Sequence, residues 1–455
     1  MSSSPHFLMI FRALSIPIAK WIKQLAQLLH GLLSFIVFTT LDFMDSVFCV
    51  VFAYLDEFFE GNNYVSAPCY CLKKRRVNEG GDDDNGERES QLSETLYGDC
   101  KRNVFRELGL RRRFEESKEK VGFGSELGKR EKRNRWSDCS CQSCISWLKD
   151  GNDLRLHVVV QAPEGPQACD GNLEGKSIEN VIFLHGFISS SSFWTETVFC
   201  NLSEEAKQKY RLFAVDLFGF GRSPKPPGCL YTLKDHVEMI EKSVIFPFEL
   251  NSFHLVAHSM GSTVALALAA KYPEAVKSVT LIAPPCIASR GDGASSSALE
   301  KFAGKKLWPP LLFGAAFMSW YEHLGRIVCF IVCRNHRLWE SILRILTWRR
   351  DHHFMIMDLT RHTHHSAWHT MHNVICGGAR FTDEFLEILS NMRVTITVIQ
   401  GNEDQVVPLE CSYSIKKRVP EVDVRIISGT DHITVILSRA EEFTRDLEGI
   451  WSSCN

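Results

Sequence analysis

An α/β domain with a mainly parallel sheet and an inserted helical cap is the fold that the sequence predicts over residues 154–455. Two observations predict the sheet. Short β-branched runs alternate with helical stretches, as they do when parallel strands are joined by helices. Each run is also nearly all apolar, which suits strands buried on both faces. A third observation predicts the cap: between Cys286 and about Gly378 the strand signal stops and gives way to aromatic, histidine-rich helical sequence, so the cap is placed at about 286–378.

The candidate strands, in order, are LRLHVVVQA, NVIFLHG, YRLFAVDLFG, FHLVAHS, SVTLIAPP, RVTITVIQGNED and VDVRIISGTDH. Two further regions precede the domain. Residues 1–60 are strongly apolar, with 18 residues from Gln24 to Leu41 free of formal charge when His30 is counted as neutral. A bilayer span takes about 20 apolar residues as a helix, and Asp42 and Asp45 interrupt the run. A cleaved signal, a retained anchor, a shallow helical hairpin and an amphipathic helix packed on the domain are all compatible with it. Basic residues flank both sides, Arg12, Lys20 and Lys23 before and Lys73 to Arg76 after, so charge does not choose an orientation. Cys69 and Cys71 beside the second cluster are candidates for acylation.

Residues 61–153 carry dense mixed charge and few apolar side chains, and cannot bury enough surface to offset the entropy of ordering; a disordered linker is expected. Its end, CSCQSC, brings Cys139, Cys141 and Cys144 together, but no fourth ligand follows at a zinc-site spacing, so no metal is assigned there. The formal net charge of −2 argues against nucleic acid as a partner. Sixteen cysteines scattered without a repeating spacing define neither a disulfide scaffold nor a redox compartment.

The chemistry sits at strand ends. Ala257-His258-Ser259-Met260-Gly261 falls where a strand ends and a helix begins, the setting of a nucleophile elbow, with Ala257 where the usual pattern has glycine. A serine hydroxyl needs a histidine base and a carboxylate to orient that base. Asp404 ends one later strand and His432 follows the next, in the order Ser259, Asp404, His432. Glu403 and Asp431 compete for the carboxylate role; Asp404 is preferred because Asp431 adjoins the base in sequence. The backbone N–H groups of Phe187 and Met260 are the expected oxyanion donors, with His185, Gly186, His258 and Gly261 shaping the loop and elbow. The turn DLFGFGRS lacks the lysine of a phosphate loop and reads as a tight structural loop beside the pocket.

Nine of the 17 histidines lie between His323 and His372, and His365, His369 and His372 recur on one helical face. No carboxylate joins them at a ligand spacing, so bonds to helix carbonyls and aromatic neighbours are expected instead of a metal. Trp308, Trp320, Trp339, Trp348 and Trp368 suit a lipid-accepting lid as well as a cap core. His353 and Asp358 match an H-x4-D pattern of some acyltransferases, a match read as accidental. Asn201-Leu202-Ser203 is the single N-x-S sequon.

HGF, DLFGFGRS, HSMG, GNEDQVVP and GTDH resemble the α/β-hydrolase superfamily over roughly Leu154 to Trp451, and HGFISSSSFWTET, DLFGFGRSPKP and HTHHSAWHTMHN resemble the plant BODYGUARD group. The resemblance implies Ser259 as nucleophile, Asp404 as orienting acid and His432 as base, with no cofactor. It further implies a lipid-type acyl ester substrate such as a lysophospholipid or cutin precursor, a role in cuticle formation, and a secretory route to the cell periphery or wall, with membrane association through the N-terminus. The same residues would serve an acyltransferase that builds polyester, and a slow or non-catalytic receptor or scaffold is the reading from another class.

Overall fold

The computed structural model describes residues 5–60, 135–146, 154–164, 178–288, 296–297, 299, 317–347 and 353–454. Residues 61–134 of the expected linker, with Cys69 and Cys71, lie outside them, as do Trp308 and Trp348.

Seven strands form one sheet: β1 (Val158–Gln161), β2 (Glu179–Leu184), β3 (Tyr210–Val215), β4 (Phe253–His258), β5 (Val276–Ile282), β6 (Thr395–Gly401) and β7 (Asp423–Ile427). They are ordered β1-β3-β2-β4-β5-β6-β7. β1 pairs antiparallel with β3, and every other neighbouring pair is parallel. The alternating geometry of a strand sends neighbouring side chains to opposite faces. Ile182 and Leu184 enter the core on one side of the sheet with Leu255 and Ala257, while Val181 and Phe183 enter the other with Val256, Trp194 and Trp451. Two-sided burial explains why these strands read as continuous apolar runs.

The excursion between β5 and β6 carries the cap. A two-residue hairpin, Cys286–Ile287 with Ser296–Ser297, opens it. The helices α3 (Glu322–Val332), α4 (His336–Thr347), α5 (Phe354–Thr360) and α6 (His364–Thr370) follow, and α6 runs on into a wider turn over Met371–Cys376. α1 (Pro5–Glu60) and α2 (Met260–Lys271) are numbered ahead of these in chain order.

α1 is one uninterrupted helix, which corrects the hairpin option. The two acids that interrupt its apolar pattern face the cap. Asp45 Oδ1 accepts the backbone N–H groups of His323 and Leu324 at 2.9 and 3.1 Å, and Asp42 Oδ1 accepts the Tyr321 hydroxyl at 3.0 Å. The first amides of a helix have no partner within it, so Asp45 satisfies the start of α3 from a different helix. Phe38, Cys49 and Phe52 share that buried face, whereas Trp21, Leu25, Leu28, Leu32 and Phe35 remain exposed. α1 therefore holds the cap on one stripe and presents a broad apolar surface on the rest.

The described end of the expected linker is also ordered. Trp136 Nε1 donates to Asp56 Oδ1 at 2.7 Å, its backbone N–H donates to Glu60 at 3.1 Å, and Arg135 pairs with Asp56 at 3.0 Å. From the cap, Arg326 donates to the other oxygen of Asp56 at 2.7 Å and to Ser137 Oγ at 3.0 Å. The disordered reading fails for residues 135–146 because their partners are 76 to 195 positions away in the chain, beyond what composition can register.

Candidate active site

β4 ends at His258, and α2 begins at Met260, so Ser259 alone makes the turn from strand to helix. Its backbone has φ 51° and ψ −120°, a region that side-chain-bearing residues avoid. Two contacts hold it there: the Ser259 N–H donates to Ile282 O at 2.8 Å, and Ser262 N–H donates to Ser259 O at 2.9 Å. The position two residues earlier needs no glycine. Ala257 has ordinary strand pairing with Leu184 and Leu281, and its methyl is buried in the core. Gly261 does need to be glycine, since a Cβ there would lie 2.6 Å from His185 O.

Ser259 Oγ lies 3.1 Å from His432 Nε2, and His432 Nδ1 lies 2.9 Å from Asp404 Oδ2. The Asp404 carboxylate has no exposed surface, and its other oxygen accepts the N–H groups of Val406 and Val407 at 2.9 and 2.8 Å. Those two amides fix the carboxylate, which fixes the imidazole, which faces the serine. The competing acids lie elsewhere. Asp431 accepts from the N–H groups of Ile433 and Thr434 at 3.0 and 2.8 Å and caps the short turn after His432. Glu403 contributes its backbone N–H to Thr430 O at 2.9 Å, and its side chain is exposed.

His258 has a role that its sequence position did not reveal. Its Nε2–H donates to the backbone carbonyl of His432 at 3.0 Å, and its ring stacks on Phe193 at 5.1 Å between centroids. The residue beside the serine thus positions the peptide of His432. Gly186 makes room for it, because a Cβ there would meet His258 Nδ1 at 2.9 Å and Ser259 Cβ at 3.3 Å. His185 anchors the adjoining loop: Nδ1–H donates to Gly186 O at 2.7 Å and Nε2 accepts the Leu217 N–H at 2.9 Å. The next residues form the loop that carries the Phe187 amide. Ile188 in that loop has φ 52°, an unusual conformation for a β-branched residue and one that no sequence signal announced. The Met260 amide opens α2, where N–H groups have no partner inside the helix.

The DLFGFGRS loop is built around the buried Asp216. Its carboxylate accepts the N–H groups of Ser191 and Arg222 at 2.5 and 2.8 Å, and a Cβ on Gly221 would collide with it. A contact ties the cap to the loop after β2: the Ser190 hydroxyl lies 2.8 Å from both oxygens of the buried Asp358. His353 is exposed at the start of α5, so the H-x4-D pair does not form a dyad.

Of the three histidines on one helical face, His365 and His372 bond to backbone. His365 Nε2 lies 2.8 Å from Cys229 O, His372 Nδ1 lies 2.7 Å from Trp368 O, and His369 packs on His365 with ring centroids 4.2 Å apart. The three cysteines of CSCQSC have a different outcome from the one expected. His336, far away in sequence, joins Cys139, Cys141 and Cys144, so the missing fourth donor is present.

Sheet order, elbow and inserted cap define a protein of the α/β-hydrolase fold, and the family model described by that fold matches residues 179–307. The chain is 50% identical to the protein named probable lysophospholipase BODYGUARD 4 of Arabidopsis thaliana, over 95% of this chain and 99% of that one. It is 47% identical to BODYGUARD 5 over 95% and 97%, and 39% identical to BODYGUARD 1 over 91% and 94%, both also named probable lysophospholipases of Arabidopsis thaliana. The chain belongs to the BODYGUARD family.

Buried histidines set an acid limit on the fold. Burial pulls His236 and His258 down to about 3 and His365 and His372 down to about 4, and lowers His185 as well. Each ring binds its proton less readily folded than unfolded, so its full contribution to stability is present above about pH 6.5 and is lost as the pH falls toward the lowered value. Asp358 opposes this: burial pushes its carboxyl up to about 6, so folding gains from its protonation as the pH falls through that value. Burial raises the Asp138 carboxyl in the same sense, and the five rings outweigh these two carboxyls. The melting temperature is expected to drop steadily from pH 7 to pH 5 in a thermal-shift series, and a flat profile over that range would contradict neutral burial of these rings.

Proposed function

We propose that the chain is a serine ester hydrolase acting on lysophospholipid-type acyl esters through Ser259, His432 and Asp404. The observation that carries this reading is the unbroken relay in which Ser259 Oγ, His432 Nε2, His432 Nδ1 and Asp404 Oδ2 stand 3.1 and 2.9 Å apart at successive hydrogen bonds. The substrate class is taken from the names of the relatives, probable lysophospholipases.

In the proposed reaction Ser259 Oγ attacks the ester carbonyl while His432 Nε2 takes its proton, and Asp404 supports the resulting imidazolium through Nδ1–H. The amides of Phe187 and Met260 receive the oxyanion. Collapse of the tetrahedral intermediate breaks the ester C–O bond, and His432 returns the proton to the departing alcohol. Water, deprotonated by the same nitrogen, then releases the fatty acid and restores Ser259. An alcohol in place of water would turn the same intermediate into a new ester, which is the acyltransferase alternative.

We also propose that α1 brings this site to a membrane surface at the cell periphery, in keeping with the cuticle role that the family resemblance implies. A 38-residue stretch of α1, Lys23–Glu60, is long and apolar enough to cross a bilayer, and only 28% of its most apolar window is buried against the rest of the chain. A helix that spent itself on packing would bury far more.

Two measurements test these proposals. With lysophospholipid as substrate and products identified by mass spectrometry, Ser259→Ala is expected to lower kcat by about 10^4-fold or more, with free fatty acid as the main product of the unaltered chain. Serine-independent turnover would overturn the nucleophile, and ester products in the presence of glycerol would favour transfer. In vesicle flotation the full chain is expected to rise with the lipid, and replacing Leu25, Leu28 and Leu32 by aspartate is expected to leave most of it in the soluble fraction; equal flotation of both would overturn the membrane role of α1.

A further inference from the structure

Away from the catalytic relay, three sulfurs and one imidazole converge between the linker's end and the cap. Cys139, Cys141 and Cys144 come from the segment 135–146, and His336 opens α4. His336 Nε2 stands 3.6 Å from Cys141 Sγ and 3.5 Å from Cys144 Sγ, and all four donor atoms lie within 4.8 Å of one another. A tetrahedral zinc ion with Zn–S of about 2.3 Å and Zn–N of about 2.0–2.1 Å requires sulfur-to-nitrogen separations of roughly 3.6 Å. The distances from His336 Nε2 to Cys141 and Cys144 match that requirement.

The surroundings are those of a ligand set. The Glu340 carboxylate, one turn further along α4, lies 2.8 Å from His336 Nδ1; Nδ1–H donates to it, so the lone pair of Nε2 faces the sulfurs. The Cys141 N–H donates to Cys139 Sγ at 3.4 Å, a contact that stabilises a thiolate. The short helical turn Gln142–Ser146 brings Cys144 back beside Cys141. Four side-chain donors close a tetrahedral shell without an open position, and closed Cys3His shells are structural.

We propose that Cys139, Cys141, Cys144 and His336 bind a zinc ion that clamps the end of the linker onto the cap. The consequence reaches α1. The same short segment carries Arg135, Trp136 and Ser137, whose bonds to Asp56, Glu60 and Arg326 join the end of α1 to α3. The ion therefore fixes the angle at which the apolar helix leaves the cap, and with it the approach of the site to a lipid surface. The last clause rests on the proposed membrane role; metal binding itself does not.

A neighbouring cluster, Cys329, Cys333 and His362, supplies three donors, with His362 Nε2 at 3.6 and 3.5 Å from the sulfurs. Its double variant separates any metal held there from metal at the four-donor site. The experiment is zinc quantification by mass spectrometry on the full chain purified in detergent under reducing conditions, with X-ray absorption to identify the ligands. Cys141→Ser/Cys144→Ser is expected to lose one equivalent of zinc relative to the unaltered chain, Cys329→Ser/Cys333→Ser to keep that equivalent, and the absorption spectrum of the latter to fit three sulfurs and one nitrogen. Should the serine variant fail to fold, His336→Ala against His336→Cys gives the same answer, since cysteine can replace the imidazole as fourth donor and alanine cannot. Equal zinc in all variants, or no zinc retained by the unaltered chain after supplementation, would overturn the proposal, as would a disulfide among the three cysteines in the native chain. Activity plays no part in these readouts, so a failed lysophospholipase assay would leave the metal result standing.

Discussion

The turn at Ser259, with φ 51° and ψ −120°, is the constraint to which the surrounding structure answers. Holding a serine in that conformation costs on the order of 1–3 kcal/mol, and it persists because neighbours on every side leave no alternative. β4 is buried along its whole length, the amide of Ser259 is bonded to the end of β5, and Gly261 brings α2 against the carbonyl of His185. In that conformation the hydroxyl projects at the sheet's edge toward the loops that follow β6 and β7, where Asp404 and His432 stand. A relaxed helical or extended serine at this position would turn its oxygen away from both.

His432 is fixed by more than its carboxylate partner. His258 donates to the carbonyl of His432 while stacking on Phe193, and Gly186 gives that ring its room. Ser259, His432 and the loop after β2 are thus coupled through one buried imidazole. The cap is coupled to the same loop through Ser190 and Asp358, and to α1 through Asp45 and Asp56. Polar contacts thus tie the cap at one end to the apolar N-terminal helix and at the other to the loop after β2, each made by a charged or hydroxyl group satisfied across two elements. Buried carboxylates of this kind are tolerated only with partners, which explains why the acids that break up the apolar pattern of α1 sit where the cap meets it.

The seven strands were legible because two-sided burial writes itself into sequence as unbroken β-branched runs, and the cap because those runs stop. The convergence of Ser259, Asp404 and His432 was legible for a topological reason: residues at the ends of parallel strands share one edge of the sheet whatever the intervening helices do. Contacts between elements far apart in the chain left no such trace. Periodicity treated Asp42 and Asp45 as interruptions, and only the packed cap shows them as partners of Tyr321 and the start of α3. Composition assigned residues 135–146 to a disordered linker, and spacing showed only three close cysteines in CSCQSC, because the histidine that joins them lies 192 residues beyond Cys144. Ile188 at φ 52° has no sequence signature, since the residue is β-branched and the conformation is imposed by the loop around it.

The central claim is that Ser259 is made nucleophilic by His432 and its partner Asp404. An alkyl fluorophosphonate, which bonds covalently to activated serine hydroxyls, tests this without requiring the physiological ester. Peptide mass mapping of the labelled full chain should find a single adduct, on the peptide containing Ser259, forming far more slowly in His432→Gln while the fold is retained. Labelling of a different serine, or equal labelling rates with and without the imidazole, would contradict the account.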